Sequence, residues 1–145
     1  DFDNDGDEDV FLVSNNDRAV FFLNENSSGH HWLTLKLTGR GKNTNAVGAK
    51  VKVVTRGLSQ WQEVRSGSGF LSQKDQRLHF GLGHGAKVDR IEIVWPDGQR
   101  QNFKDVAADQ IIAVTQGANN FVLIPRKKET PLAKRAGTSH QNPFD

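Results

Sequence analysis

The chain contains no cysteine and no methionine among its 145 residues. Without cysteine the protein cannot form disulfides, use a thiol in catalysis or build a cysteine metal site. Because the first residue is an aspartate and methionine is missing throughout, we expect further sequence to precede this segment in the complete protein.

Long apolar runs are also missing, and hydrophobic residues make up only 35% of the sequence. No stretch approaches the roughly 20 apolar residues of a transmembrane helix, and no signal segment opens the chain. We therefore expect no membrane insertion. The apolar fraction is enough for one modest core, so the length fits one domain with short segments attached.

The formal net charge of +2 is unevenly distributed. Residues 1–9 carry −6, residues 10–125 carry +5 and residues 126–145 carry +3. A nucleic-acid-binding protein concentrates Lys and Arg along one stripe, whereas the basic residues here mostly occupy alternate positions of strand-like segments. The sequence therefore disfavours nucleic acid as a partner.

An acidic segment opens the chain, with Asp at every odd position of Asp1-Phe2-Asp3-Asn4-Asp5-Gly6-Asp7-Glu8-Asp9. Ca²⁺ takes roughly six to eight oxygen ligands, and carboxylates at alternate positions of a loop can surround one ion. Gly6 permits the sharp turn. Without a cation, carboxylates about 6 Å apart would repel by roughly 3 kcal/mol per pair at an effective dielectric near 20. The spacing predicts Ca²⁺ as the cofactor, and a solvated acidic turn is the alternative.

This acidic loop is not an EF-hand, because its twelfth position carries Leu12 where an EF-hand has a bidentate Glu. We therefore assign the final ligand to Asp9. We predict ligation by the side chains of Asp1, Asp3, Asp5 and Asp9, and by the backbone carbonyl of Asp7.

Apolar and polar residues alternate in most of the chain after the acidic loop. Leu33, Leu35 and Leu37 predict one half-buried strand with Thr34 on its polar face, and a second strand is predicted from Val47 to Val53. In residues 59–64 the pattern does not decide whether Trp61 or Gln62 faces the core. No segment has sustained helical periodicity, so the class is all-β, most simply two packed sheets.

Four segments follow from these patterns. Residues 1–25 contain the acidic loop and two short apolar runs typical of a β-hairpin, and residues 26–30 form a linker. Residues 31–125 form the β domain. The basic tail, residues 126–145, is expected to be disordered or ordered only by a partner.

Two parts of the chain resemble known families. The acidic loop with Val10-Phe11-Leu12-Val13 resembles the end of an FG-GAP or VCBS repeat, the calcium-loop element of integrin-type β-propellers. Residues 30–115 resemble the ASPIC/UnbV domain of cartilage-acidic-protein-like secreted proteins through stretches that include His31-Trp32-Leu33, Asn45-Ala46-Val47-Gly48-Ala49, Leu78-His79-Phe80-Gly81-Leu82-Gly83 and Val94-Trp95-Pro96-Asp97-Gly98.

The resemblance implies a β-sandwich-like module following a partial β-propeller blade with a calcium loop. It also implies a secreted, extracellular or cell-surface location, with the periplasm as an alternative. It implies no agreed reaction.

A glycine-rich loop at residues 66–73 is the candidate ligand-binding region of the β domain. Glycines leave backbone amides accessible, although a purely structural turn is the alternative. The candidate ligand residues in and near this loop are Trp61, Arg65, Ser68, Ser72 and Gln73.

Catalytic patterns are weak throughout. The glycine-rich loop lacks the G-x-S-x-G elbow of serine hydrolases, and the histidines lack the H-E-x-x-H spacing of zinc proteases. Two carboxylate pairs would serve a glycosidase only if the fold set them roughly 5–9 Å apart across a cleft: Glu63 with Asp75, and Glu92 with Asp105.

The sequence therefore predicts a non-catalytic, extracellular calcium-binding adhesion or interaction module, with an extracellular protein or glycan as partner. One alternative is a carbohydrate-binding module or an accessory domain of a polysaccharide-acting enzyme. Another is a structural subunit of a surface assembly. The sequence does not specify the oligomeric state.

Overall fold

The computed structural model describes residues 1–24, 29–67 and 69–125. The predicted tail, most of the linker and the candidate ligand residue Ser68 lie outside these ranges. The described residues form strands and turns without a helix, so the predicted all-β class is confirmed. Accordingly, the described ranges hold no helix that could span a membrane.

Ten strands follow one another along the described chain. In order they are β1 (Val10–Leu12), β2 (Val20–Phe22), β3 (His31–Thr38), β4 (Lys50–Thr55), β5 (Leu58–Glu63), β6 (Leu78–Gly83), β7 (Lys87–Val94), β8 (Arg100–Ala107), β9 (Gln110–Thr115) and β10 (Phe121–Ile124). The second predicted long strand begins at Lys50 rather than at Val47, because Ala46 and Gly48 have positive φ angles that interrupt an extended chain.

Two four-stranded sheets pack as a sandwich, and a small hairpin lies outside it. The first sandwich sheet has the order β10-β9-β3-β6, and the second has the order β5-β4-β7-β8. Only β3 and β9 pair in parallel among the described strands; the other neighbours are antiparallel. Strands β1 and β2 form the separate hairpin.

The core lies between the two sandwich sheets. Leu33, Leu35 and Leu37 of β3 contribute to it as their alternation predicts, and they meet side chains such as Val51 and Ile91 from the other sheet. Thr34, predicted on the polar face, is only 2% exposed. The acidic loop covers this part of the outer face of the first sheet, so alternation within β3 could not indicate its burial.

Glutamine side chains bridge the two sheets at both edges of the sandwich. Gln62 in β5 donates to the His79 carbonyl of β6, and Gln60 donates to the Gly81 carbonyl at 2.6 Å. At the opposite edge, Gln101 in β8 donates to the Ala118 carbonyl at 2.6 Å. Gln62 therefore faces the first sheet, and Trp61 faces solvent.

Candidate calcium site and ligand surface

The acidic loop brings three of its carboxylates together. Asp1, Asp3 and Asp5 each place one carboxylate oxygen within 4.8 Å of the others. The loop curls because Asp side chains accept hydrogen bonds from backbone amides two residues on: Asp3 Oδ1 from the Asp5 amide at 3.3 Å, and Asp5 Oδ1 from the Asp7 amide at 2.9 Å. This arrangement gathers hard oxygen donors of the type that Ca²⁺ prefers.

One of these carboxylates is buried and incompletely satisfied. The Asp1 side chain is 7% exposed, and its Oδ2 has no hydrogen-bond partner in the described part of the chain. A buried carboxylate oxygen without a partner is costly unless a cation compensates it. The residues present therefore fit a calcium ion held by Asp1, Asp3 and Asp5.

The other two predicted metal residues are placed differently. Asp9 accepts the Phe2 amide at 2.7 Å with Oδ2 and the Asn24 amide at 2.9 Å with Oδ1, so its carboxylate ties the acidic loop to the end of β2. Asp7 is outside the group of three carboxylates. Ligation by Asp9 and by the Asp7 carbonyl stays a prediction.

Contacts from the sandwich fix the position of the acidic loop. A β-carbon added at Gly6 would lie 2.0 Å from the Trp32 ring, so the loop backbone rests directly on this aromatic side chain. Arg77 donates to Asn4 Oδ1 at 2.6 Å and to the Asp1 carbonyl at 3.1 Å. No motif in the sequence indicated Arg77, because its role depends on residues more than seventy positions away.

Arg77 also forms an ion pair with Asp75. Burial alone would raise the pKa of Asp75, but hydrogen bonds from the Arg77 backbone and guanidinium, together with its charge, lower that pKa below the ordinary value. Asp75 therefore stays ionised and orients the guanidinium toward the acidic loop.

His79 lies beneath the same loop. Its ring stacks on Trp32 with centroids 6.0 Å apart, and its Nδ1 is 3.1 Å from Thr34 Oγ1. Burial lowers the pKa of His79 below the model-peptide value of 6.5, although the nearby Glu8 opposes the shift. A neutral imidazole therefore packs here.

The candidate ligand residues divide between two neighbouring cavities. Trp61 and Arg65 line a groove of about 610 Å³ together with Lys50 and Lys74. Ser72 and Gln73 instead line a cavity of about 990 Å³ next to β1. The structure therefore brings Trp61 and Arg65 to one surface, with basic neighbours that the sequence did not connect to them.

All four carboxylates of the proposed glycosidase pairs lie beside cations. Ion pairs join Glu63 to Arg65 at 3.5 Å, Glu92 to Arg90 at 2.6 Å and Asp105 to Lys87 at 2.7 Å, and Asp75 pairs with Arg77. A hydrogen bond from Lys87 and its charge lower the pKa of Asp105. A general acid needs a raised pKa, so neither Asp75 nor Asp105 has the environment of one.

Comparison with known proteins relates most of this chain to one family. The chain is similar to cartilage acidic protein 1 of Homo sapiens, with 29% identity over 97% of the chain, and to that of Mus musculus, with 30% identity over 98%. It spans 22% of the length of each of these relatives. The family profile described as ASPIC and UnbV matches residues 39–121, which include β4 to β9 and are more than half of the chain. The chain therefore belongs to the ASPIC and UnbV family.

Proposed function

We propose that this chain is a non-catalytic calcium-binding interaction module that works outside the cell. One observation carries the proposal: Asp1 lies in a group with Asp3 and Asp5, and its buried Oδ2 has no hydrogen-bond partner among the residues that the structure describes. Extracellular calcium is millimolar, so even a weak oxygen site fills there. Similarity to cartilage acidic protein 1 supports the same location.

The role of calcium is structural in this proposal. The ion would compensate the three gathered carboxylates and so favour the curled loop that covers Trp32 and accepts hydrogen bonds from Arg77. At a calcium concentration about a hundredfold above the dissociation constant, binding would stabilise the folded state by roughly 2.7 kcal/mol.

We further propose that the acidic loop and hairpin are the end of an FG-GAP or VCBS type propeller blade. The hairpin supports this assignment, because both β1 and β2 expose large apolar side chains such as Phe11 and Phe22. A blade hairpin is covered by neighbouring strands, whereas an isolated two-stranded ribbon has little stability in water. The apolar surface of this hairpin suits such a neighbour.

The surroundings of the acidic side chains support a non-catalytic role. Each carboxylate of the two candidate glycosidase pairs lies beside a Lys or Arg. For Asp75 and Asp105, hydrogen bonds and charge from the neighbouring cation lower the pKa. Retaining and inverting glycosidases both need one carboxyl group that stays protonated near neutral pH.

Thermal melting in millimolar Ca²⁺ and in chelator tests the calcium site. We expect calcium to raise the melting temperature of the parent by roughly 5–10 °C, and to raise that of Asp3→Asn by much less. Asp17→Asn is a control with the same charge change, since Asp17 lies in the turn between β1 and β2 and contacts the Arg18 amide. An equal calcium response in the parent and Asp3→Asn would refute the site.

A further inference from the structure

Charged residues lie in rows on the solvent-facing side of the second sandwich sheet. Cross-strand pairing places twelve side chains on its outer surface in three rows, which we call the cationic face: Glu63-Lys50-Val94-Arg100, Trp61-Lys52-Glu92-Asn102 and Ser59-Val54-Arg90-Lys104. Five of these side chains are basic and two are acidic. The cationic face therefore has a clear positive excess.

Folding concentrates charges that are spread along the sequence. Lys50 of β4 lies in one row with Arg100 of β8. Lys52 of β4 is diagonal to Arg90 of β7, which is directly opposite Lys104 of β8. Residues two apart in a strand point to the same side, so basic residues at alternate positions of adjacent strands meet on one surface. Arg90 pairs with Glu92 at 2.6 Å, while Lys50, Arg100 and Lys104 are exposed.

An aromatic side chain lies at one edge of this surface. Trp61 is 58% exposed, although Trp32 and Trp95 are buried. The Lys52 ammonium lies 5.5 Å from the centre of the Trp61 ring, so the cation holds the indole in place. Arg65 and Lys74 line the groove beside the same ring.

We propose that the cationic face binds an anionic polysaccharide, a chain of sugar rings carrying sulfate or carboxylate groups. This inference rests on the proposed interaction role and names the class of partner. One sugar ring would stack its apolar side on Trp61, and the anionic groups of that ring and of the following rings would contact Lys52, Lys50 and Arg100 across the sheet. Charge complementarity would favour capture, and salt would weaken it.

The arrangement favours a polysaccharide over nucleic acid. Surfaces that bind single-stranded nucleic acid stack successive bases on several aromatic side chains, whereas Trp61 is the aromatic residue on the described cationic face. Proteins that recognise duplex DNA insert an α-helix or a two-stranded β-ribbon into its major groove. The cationic face is instead one side of a four-stranded sheet, with a single stacking position at its edge.

Heparin, a sulfated polysaccharide, is the probe for a direct test. We expect the chain to bind heparin in calorimetry at about 150 mM salt, and binding to weaken as salt is raised. Lys50→Gln with Arg100→Gln should lower the affinity about tenfold, and Trp61→Ala should lower it about fivefold. Uncharged dextran should not bind.

Two control variants remove the same charge elsewhere. Lys36→Gln with Lys42→Gln acts on β3 and the following loop, and Lys127→Gln with Lys128→Gln acts on the basic tail sequence. Both should keep the affinity within about twofold of the parent. Melting curves verify that every variant is folded.

Three results would overturn the inference: no heparin binding, an equal loss in either control variant, or tighter binding of single-stranded RNA than of heparin at the same salt. The calcium-dependent melting experiment is independent of these measurements. A normal calcium response without heparin binding would therefore reject the polysaccharide partner alone, while loss of the calcium response would reject the proposed metal site.

Discussion

Two residues at the contact between the acidic loop and the sandwich, Gly6 and His79, can be tested individually. Gly6 has a φ of +103° and lies against the Trp32 ring, which leaves no space for a side chain. Its conformation and its contact therefore both require glycine. The sequence pattern accounts for the first requirement, since a turn was predicted here, but it contained no information about Trp32.

Gly6→Ala should lower the free energy of unfolding by about 3 kcal/mol, combining left-handed backbone strain with a clash against the indole. Gly41→Ala is the matched control, because Gly41 also has a positive φ of +67° but no heavy atom lies near its added β-carbon. That control should lose only about 1 kcal/mol in urea unfolding. Equal losses of unfolding free energy in the two variants would show that the contact of Gly6 with Trp32 does not contribute to stability.

We expect His79 to make stability depend on pH. Because burial lowers the folded-state pKa of His79 below 6.5, the unfolded chain takes up a proton first as the solution is acidified. The contribution of neutral His79 is thus fully present above pH 6.5 and is lost as pH falls below that value.

Between about pH 7 and pH 5, we expect the parent to lose stability more steeply than His79→Gln, measured by urea unfolding at constant calcium. His84→Gln is the histidine control, since His84 lies outside this contact and its ring meets that of His30 edge to face, with centroids 4.8 Å apart. A parent slope unchanged by His79→Gln would contradict the assignment.

At the scale of elements, alternation of apolar and polar residues predicted the strands well where one face of the strand is buried and the other is exposed to solvent. In β4, Val51 and Val53 occupy the core, while Lys50 on the other face is exposed. Trp61 could not be placed, because β5 is an edge strand whose inner face carries Gln60 and Gln62 rather than apolar residues. Hydrogen bonds between side chains and a distant strand leave no periodic signal.

The candidate site was predictable to a similar extent. The spacing of the Asp residues predicted that Asp1, Asp3 and Asp5 lie close together, because their proximity depends only on local turns. Asp9 bonds to Asn24, and Arg77 bonds to Asn4, across the folded chain. Such partners depend on tertiary structure and could not be derived from spacing.

The turn between β4 and β5 offers a stabilising substitution. Arg56 and Gly57 connect the strands as a two-residue hairpin turn and have φ angles of 48° and 81°. Asn tolerates positive φ better than Arg, and Asn-Gly is the preferred sequence for this turn.

Arg56→Asn should therefore raise the free energy of unfolding by about 0.5 kcal/mol, despite the loss of a 3.3 Å hydrogen bond to the His84 carbonyl. Arg56→Val should lower it, because a β-branched residue is disfavoured at positive φ. Thermal melting checks both variants. A drop in stability for Arg56→Asn would mean that the exposed Arg56 contact outweighs the turn preference.

At the scale of the whole molecule, the two outer faces of the sandwich differ in charge. The acidic loop, with a formal charge of −6, covers part of the outer face of the first sheet, and the cationic face lies on the outside of the second. A calcium ion in the acidic loop and an anionic partner on the cationic face would be held by different residues, and the two surfaces meet where Glu8 lines the groove beside Trp61. On this proposal the loop's position would depend on Trp32, Arg77 and the metal together.

Arg77→Gln should release the acidic loop and uncover Trp32. The substitution removes charge-assisted hydrogen bonds to Asn4 and Asp1, so we expect the free energy of unfolding to fall by about 2 kcal/mol. Fluorescence quenching by acrylamide reports the loop directly. In a Trp61→Phe background the remaining indoles, Trp32 and Trp95, are 8% and 1% exposed, so quenching should start low and rise in the variant.

Arg65→Gln in the same background provides the control, because Arg65 pairs with Glu63 at 3.5 Å on the solvent-exposed surface. It should leave quenching unchanged. If Arg77→Gln also left quenching unchanged, the contact of Gly6 with Trp32 would be sufficient to hold the loop, and Arg77 would only orient it. A rise that millimolar calcium reverses would instead show that the metal and Arg77 stabilise the same docked position of the loop.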